Sequence, residues 1–240
     1  MRTVAAIARR ELAAYFDSPV AYVVLVLYLS VTATFFFYLQ RFFLIGEATL
    51  RPFFSLLPWT LVLFVPPITM RLFAEERKLG TIEVLMTLPV RDHEAVLGKF
   101  LGAYGFVVVM LASTAGLPAT VLLLGDPDPG PILGGYLGAA LLAAAYVAVG
   151  LFVSSLTEDQ VVAFIVTATL LLALVLVGLG GALAWLPATV VSFFHFLSLL
   201  SHFEGLGRGV VDTRDVVYYL SAIGFFLALT VWSVESRKWR

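Results

Sequence analysis

Cysteine is absent from this chain of 240 residues, which excludes disulfides, thiolate zinc sites and a cysteine nucleophile, and leaves the redox compartment undetermined. The chain has only three histidines, which leaves little for a metal site. Charged residues make up 13% of it and its net charge is −1, so no basic surface for nucleic acid is indicated. Thiol-dependent and nucleic-acid-binding proteins are therefore set aside.

A nucleotide-binding P-loop is also missing. No G-x-x-x-x-G-K-[ST] stretch occurs, and the one Gly98-Lys99 pair is followed by Phe100, so neither a phosphate cradle nor a magnesium-binding hydroxyl is present there. At the N-terminus, charge interrupts the apolar stretches before the h-region of a signal peptide can form. We therefore expect the first hydrophobic run to be a retained membrane anchor.

What the chain has in abundance is hydrophobic sequence. Hydrophobic residues make up 61% of it and its mean hydropathy is +1.00, a balance that indicates the bilayer as solvent. A spanning helix needs about 20 largely apolar residues. Six runs without charge meet or approach that length: Pro19–Leu39, Phe53–Met70, Phe100–Leu124, Ile132–Leu156, Gln160–Leu186 and Val216–Val234. The chain is thus predicted to be a single all-α integral membrane domain over residues 1–240 with six transmembrane helices.

The distribution of basic residues orients these helices. If both termini lie in the cytoplasm, the inner segments hold eleven of the fifteen lysines and arginines and the outer segments hold four. The opposite orientation would violate the positive-inside rule in four separate segments. The sequence therefore predicts an N-in, C-in topology in the cytoplasmic (inner) membrane.

The first 18 residues precede the first span. Apolar residues recur there at helical spacing, with Glu11 among them, whereas Arg9 and Arg10 lie off that stripe. This pattern predicts a short amphipathic helix in the membrane interface.

Residues 187–215, between the fifth and sixth runs, are also patterned. Ser192, His195, Ser198 and His202 fall at helical spacing, which predicts an extracytoplasmic helix that is either interfacial or re-entrant. His195, His202 and Glu204 form either a metal or acid/base cluster or one polar interfacial face. We favour the polar face, because no compact ligand motif joins them.

The predicted inner loop, residues 71–99, is too patterned for a plain connector. Gly80 divides it, Thr81 is a suitable N-cap and Pro89 ends the short helix that follows. The apolar face of that helix would be exposed in the cytoplasm unless a partner covers it. The preceding charges, Glu75 and Glu76 among them, either fix the register of that partner or form a solvated run that caps the second span.

The string from Glu75 to Pro89 resembles the coupling-helix signature of ABC-2 permeases, with its acidic pair, basic pair, Gly-Thr, glutamate, leucine and proline. Arg10-Glu-Leu ahead of Tyr15-Phe-Asp-Ser-Pro19 resembles the connecting helix of the same family, and residues 209–215 resemble the segment that enters its last span. Within the family, the chain is most similar to the compact permeases of the gliding-motility type and their copper-site maturation relatives.

The resemblance implies a type V exporter-like fold and a homodimer or pseudo-dimer of six-span units. Each unit would insert its coupling helix into a groove on a separate cytosolic ATPase that binds ATP and Mg²⁺, so this chain would be a permease subunit, not an enzyme, and would hold no cofactor. Membrane lipids and an extracytoplasmic accessory protein are the other expected partners. The implied coupling residues are Glu75, Glu76, Gly80, Thr81, Ile82, Glu83, Leu85, Met86 and Pro89.

Some features admit a second interpretation. Glu158 and Asp159 are either solvated carboxylates of a turn or a second contact to the ATPase. Gly98-x-x-x-Gly102 and Gly134-x-x-x-Gly138 are small-residue pairs expected to pack spans within one subunit, or else across a dimer.

The absence of charge inside the six runs disfavours an ion-coupled carrier. The same lack of charge is equally compatible with transport of lipids, with transport of hydrophobic polymers and with mechanical work.

Two other functions compete with transport. An intramembrane hydrolase or acyltransferase would need a catalytic constellation at membrane depth, and Ser113 and Thr114 have no histidine or carboxylate beside them in the sequence. A scaffold that anchors other proteins would need no turnover at all. ATP hydrolysis by a co-purified ATPase that depends on this subunit separates transport from scaffolding.

The predicted topology can be tested directly, because the chain has no native cysteine. A single cysteine at position 78 is expected to react with a membrane-impermeant maleimide only after the membrane is opened, since the inner loop would face the cytoplasm. Labelling of that cysteine in intact cells would contradict the predicted orientation.

Overall fold

The computed structural model describes residues 2–40, 42–45, 47–80, 91–179 and 187–236, and every regular element in these ranges is helical. In chain order the helices are α1 (Arg2–Phe16), α2 (Pro19–Thr34, continued by a π-helical turn Phe35–Leu39), α3 (Phe42–Ile45), α4 (Arg51–Thr69), α5 (Arg71–Lys78), α6 (Asp92–Ser113), α7 (Gly116–Leu124), α8 (Pro129–Leu156), α9 (Gln160–Gly178), α10 (Ala188–Leu197), α11 (Leu199–Gly207) and α12 (Thr213–Glu235).

Six helices in the described ranges are long and apolar enough to cross a membrane. These helices are Pro19–Leu39, Arg51–Lys78, Asp92–Leu124, Pro129–Leu156, Gln160–Gly178 and Thr213–Glu235. Each overlaps one predicted run, but the second extends to Lys78 and the third begins at Asp92, so both reach into residues 71–99, which were predicted as the inner loop. The prediction of six spans in an all-helical chain is thereby confirmed. The fifth run was predicted to reach Leu186, whereas α9 ends at Gly178 and residues 180–186 lie outside the described part of the chain.

Short polar residues mark where several spans begin. The side chains of Ser18, Asp128, Asp159 and Asp212 each accept a hydrogen bond from a backbone N–H in the first turn of the following helix. These N–H groups have no partner within the helix, so an N-cap oxygen stabilises the helix by about 1 kcal/mol. A proline at the first helical position of α2 and α8 supports the same starts.

The fourth span, α8, is the centre of the bundle. In its most apolar window 78% of the residues are buried, against 17% for the sixth span. It packs against α4, α6, α9, α11 and α12. The neighbouring helices can approach the backbone of α8 closely because its buried faces carry glycine and alanine, including the buried stretch Ala143–Ala145.

The two small-residue pairs do pack within the subunit, but against helices outside the six spans. A Cβ on Gly134 would lie 2.8 Å from the carbonyl oxygen of Leu206, and one on Gly138 would lie 2.8 Å from the Cβ of Leu206. Gly134 and Gly138 therefore allow α11 to pack closely against the fourth span. A Cβ on Gly98 would lie 2.6 Å from the Cβ of Ile7. Gly98 and Gly102 therefore allow α1 to pack closely against the third span.

The apolar stripe of α1 therefore faces protein. Ile7 and Tyr15 are buried on that face, while Arg9 and Arg10 are exposed on the other. The helix and its amphipathic pattern agree with the sequence. Its place in the membrane interface stays a prediction.

The third span is interrupted after Ser113. The Thr114 hydroxyl donates to the carbonyl of Leu111 at 2.6 Å and shares a hydrogen bond of 2.9 Å with the Tyr136 hydroxyl. A threonine that bonds back to its own turn competes with continuation of the helix. The span resumes at Gly116 as α7.

The segment between the fifth and sixth spans forms two short helices joined at a bend, where a single helix was predicted. Helices α10 and α11 are bent by 68° at Ser198, whose backbone is extended and whose hydroxyl caps the N–H of Leu200. Ser198 is fully buried and lies beside Gly178 of α9. The polar residues do lie on helices, as their spacing predicted. Ser198, in the middle of that pattern, is the N-cap at which the second helix begins.

The contact between α1 and the third span gives a test of the fold. A Cβ on Gly102 would lie 2.5 Å from the Cβ of Glu11 and 3.0 Å from the carbonyl oxygen of Ala8, so Gly102→Ala must push α1 away. We expect it to lower the free energy of unfolding by about 1–3 kcal/mol, measured by thermal unfolding in detergent. Gly224→Ala is the matched control, because nothing lies within 4 Å of its added Cβ. Equal stability of the two variants would contradict this packing.

Candidate functional site

At one end of the bundle, three helices meet around a buried lysine. Lys99 lies in the second turn of α6 and is 1% exposed. Its ammonium donates to Glu76 Oε1 on α5 at 2.8 Å, to Glu11 Oε1 on α1 at 3.1 Å and to the Leu72 carbonyl oxygen at 2.7 Å. An ammonium has three N–H donors, and all three are used here.

The charges of this cluster balance. Glu11 and Glu76 are largely buried, and the guanidinium of Arg10 lies 3.1 Å from Glu11 Oε1 and 3.8 Å from Glu76 Oε1 at the exposed edge. Two carboxylates thus face two cations, with the ring of Phe73 beside the ammonium at 5.2 Å. Pairing is required because a lone charge is very costly to bury. We call Arg10, Glu11, Glu76 and Lys99 the ionic cluster.

A buried serine hydroxyl fixes the start of α5 through hydrogen bonds to its backbone. The Ser154 hydroxyl, fully buried on α8, accepts hydrogen bonds from the N–H groups of Phe73 at 3.1 Å and Ala74 at 3.2 Å and donates to the carbonyl of Met70 at 2.9 Å. The first N–H groups of a helix lack partners within it. A side chain of the central span therefore anchors the break between α4 and α5.

Tyr15 joins α1 to the same region. Its hydroxyl donates to the Ile68 carbonyl at 2.7 Å, its ring stacks on Phe106, and the Arg71 guanidinium lies 4.2 Å above the ring. Burial raises the pKa of Tyr15 above its ordinary value, although Arg71 opposes that rise. The hydroxyl therefore keeps its proton and remains a donor.

The predicted coupling segment begins where α5 ends. Gly80 has a φ of +69°, a left-handed conformation that favours glycine and closes a helix C-terminus. The predicted residues Thr81, Ile82, Glu83, Leu85, Met86 and Pro89 lie outside the described residues. The described chain resumes at Arg91, and α6 follows immediately. Both flanks of the segment are thus anchored in the ionic cluster, by Glu76 before it and Lys99 after it.

The structure brings together some predicted site residues. Glu76, Arg10 and Glu11 meet in the ionic cluster. Glu75 is half-buried beside Arg71 in a cavity of about 260 Å³ between α1, α2 and α4. Arg9 is exposed.

The residues at the second predicted contact have separate roles. Asp159 Oδ1 caps α9 through the N–H groups of Val161 at 2.7 Å and Val162 at 3.2 Å. Glu158 is exposed. Asp159 thus has a structural role as an N-cap, and a contact of Glu158 and Asp159 to the ATPase stays a prediction.

Lys99 and Ser154 were missed as site residues. Lys99 was counted among the inner-loop charges at residues 71–99, whereas the structure places it inside the helix of the third span. The available signal was its position next to Gly98, within the small-residue pair that seats α1. A single serine in an apolar run, as at position 154, carries no comparable signal.

The polar residues at the other end of the bundle do not form one cluster. His202 Nδ1 lies 2.7 Å from Asp215 Oδ1 and Nε2 lies 2.9 Å from the Phe196 carbonyl, whereas Glu204 pairs with Arg208 at 3.3 Å. The His195 carbonyl accepts a hydrogen bond from Ser201. Within the described ranges, no three metal-ligating side chains are grouped. The Ser113 hydroxyl donates to the Met110 carbonyl of its own helix.

Six apolar helices, one of them a largely buried central span, define a multi-pass membrane protein. A family model described as ABC-2 family transporter protein matches residues 45–234. The chain therefore belongs to the ABC-2 transporter family, and it is a permease subunit of an ABC transporter. A search of curated proteins found no significant match.

The ionic cluster gives a direct test. Lys99→Met leaves Glu11 and Glu76 without the central cation, and we expect it to lower the free energy of unfolding by about 3–5 kcal/mol, as when one partner of a buried pair is removed. Thermal unfolding of the purified permease measures the change. Lys78→Met is the matched control, because Lys78 is exposed on the last turn of α5. A Lys99→Met variant as stable as Lys78→Met would show that the cluster does not hold these helices together.

Proposed function

We propose that this permease couples ATP hydrolysis by a separate cytosolic ATPase to export or to mechanical work across the membrane, and that residues 81–90 form its coupling helix. The observation that supports the proposal is the ionic cluster. Its members Glu76 and Lys99 flank the segment closely in the chain, and a third, Glu11, lies on α1.

The cluster suits transmission of force because it joins elements that would otherwise move separately. A docked ATPase that displaces residues 81–90 would pull on α5 at one flank and on α6 at the other. Three hydrogen bonds from one ammonium oppose separation of α1, α5 and α6, and Ser154 ties α5 to the central span. The displacement would therefore be passed to the third and fourth spans as a unit.

The remaining parts of the proposal follow from the family. ATP and Mg²⁺ would be bound by the ATPase, and no cofactor by this chain. Two copies of the permease would pair, because an ATP sandwiched between two ATPase subunits needs two docking helices. The protein would lie in the cytoplasmic membrane with both termini inside, and an extracytoplasmic accessory protein and kinship with the gliding-motility permeases belong to the same proposal.

The coupling helix can be tested without disturbing the bundle. Leu85→Asp puts a carboxylate on the predicted apolar docking face and is expected to abolish ATPase co-purification and stimulated hydrolysis, since desolvation of an unpaired charge costs several kcal/mol. Glu83→Ala, at a solvated rim, should cost about 1 kcal/mol or less of docking free energy, and its effect should fade with salt.

Both variants should insert into the membrane and unfold like the unchanged permease, because neither position lies in a span. Normal insertion of Leu85→Asp with full stimulation of the ATPase would remove residues 81–90 from the mechanism. Vanadate-sensitive hydrolysis that never depends on the permease would instead favour a scaffold.

A further inference from the structure

A cavity of about 370 Å³ lies at the end of α4 that is remote from the ionic cluster. Its walls come from the first half of α4, from α11 and from Leu179 just after α9. This volume falls within the range of small-ligand pockets, roughly 300–1,000 Å³. It plays no part in the coupling mechanism proposed above.

The lining changes from charged to apolar along the cavity. Arg51 is the first residue of α4, and Trp59 lies eight residues further along the same helix, which is about 12 Å at 1.5 Å per residue. Phe54 and Phe203 provide buried aromatic wall, 1% and 3% exposed. An arginine at the end of a span is expected near head-group depth, and a side chain about 12 Å further along the span is expected within the hydrocarbon core, which is about 30 Å thick.

The charges of the lining do not cancel. Arg208 pairs with Glu204, with 3.3 Å between nitrogen and oxygen and both side chains largely exposed. Within the part of the chain that the structure describes, Arg51 has no carboxylate within ion-pair distance. The cavity therefore has two guanidinium groups and one carboxylate, a net charge of one positive.

We infer that this cavity binds one anionic membrane lipid, with its phosphate between Arg51 and Arg208 and an acyl chain against Phe54, Trp59 and Phe203. A guanidinium fork matches the oxygens of a phosphate and is more weakly hydrated than an ammonium. A zwitterionic lipid carries its own cation, which gains nothing from Arg51. The site is a property of the permease alone, whether or not the bound lipid is transported.

Trp59 allows the site to be read directly. With Trp185, Trp232 and Trp239 replaced by phenylalanine, Trp59 is the only tryptophan left. The purified chain is reconstituted into phosphatidylcholine nanodiscs that contain increasing amounts of brominated phosphatidylglycerol or brominated phosphatidylcholine. We expect half-maximal quenching of Trp59 fluorescence at a mole fraction of the brominated phosphatidylglycerol about fivefold lower than that of the brominated phosphatidylcholine. A fivefold difference corresponds to one favourable interaction between an arginine and a lipid charge.

Arg51→Gln should remove that fivefold preference. Arg214→Gln is the matched control, because Arg214 is exposed near the same end of the bundle and does not line the cavity; it should keep the preference. Equal quenching by the two lipids, or equal loss in both variants, would overturn the proposal. So would displacement by excess inorganic phosphate, which would indicate a site for a free anion. Native mass spectrometry of the unaltered chain, comparing retained phosphatidylglycerol with phosphatidylcholine, gives an independent measurement if the tryptophan replacements impair folding.

Discussion

The ammonium of Lys99 is a charge that cannot be buried unless acceptors surround it, and this requirement organises one whole end of the bundle. Its three hydrogen bonds reach α1, the side chain of Glu76 on α5 and the backbone of α5. Removing any of these elements would leave a donor unsatisfied in an apolar environment, at a cost of kilocalories. The position of α1, the path of α5 and the start of α6 are therefore mutually dependent.

Close backbone contact makes this arrangement sterically possible. Glycines at 98 and 102 let α1 lie against α6 near enough for Glu11 to reach Lys99, because a side chain at either position would collide with α1. The polar cluster and the small-residue pair thus act together. The glycines set the distance between the helices, and the charges set their register.

The second span connects the two regions that the structure distinguishes. At one end α4 passes into α5 across a break held by Ser154, and at the other its first turns line the cavity of Arg51 and Trp59. Although it contains Pro58, Pro66 and Pro67, α4 is continuous from Arg51 to Thr69. The apolar packing of this largely buried helix against its neighbours offsets the free-energy cost of the backbone hydrogen bonds that proline cannot make.

Sequence alone determined the number of spans and most of their bounds, because charge-free length and local N-caps such as Asp159 act within a few residues. It also indicated Glu11 and Glu76 as candidate site residues, a role that stays a prediction. It did not reveal that Lys99 pairs with both glutamates, because residues 11, 76 and 99 meet only through packing of three helices. Likewise, the bend at Ser198 depends on burial of that serine beside Gly178. Contacts between distant residues are decided by tertiary structure, since no local pattern encodes the distance between two helices.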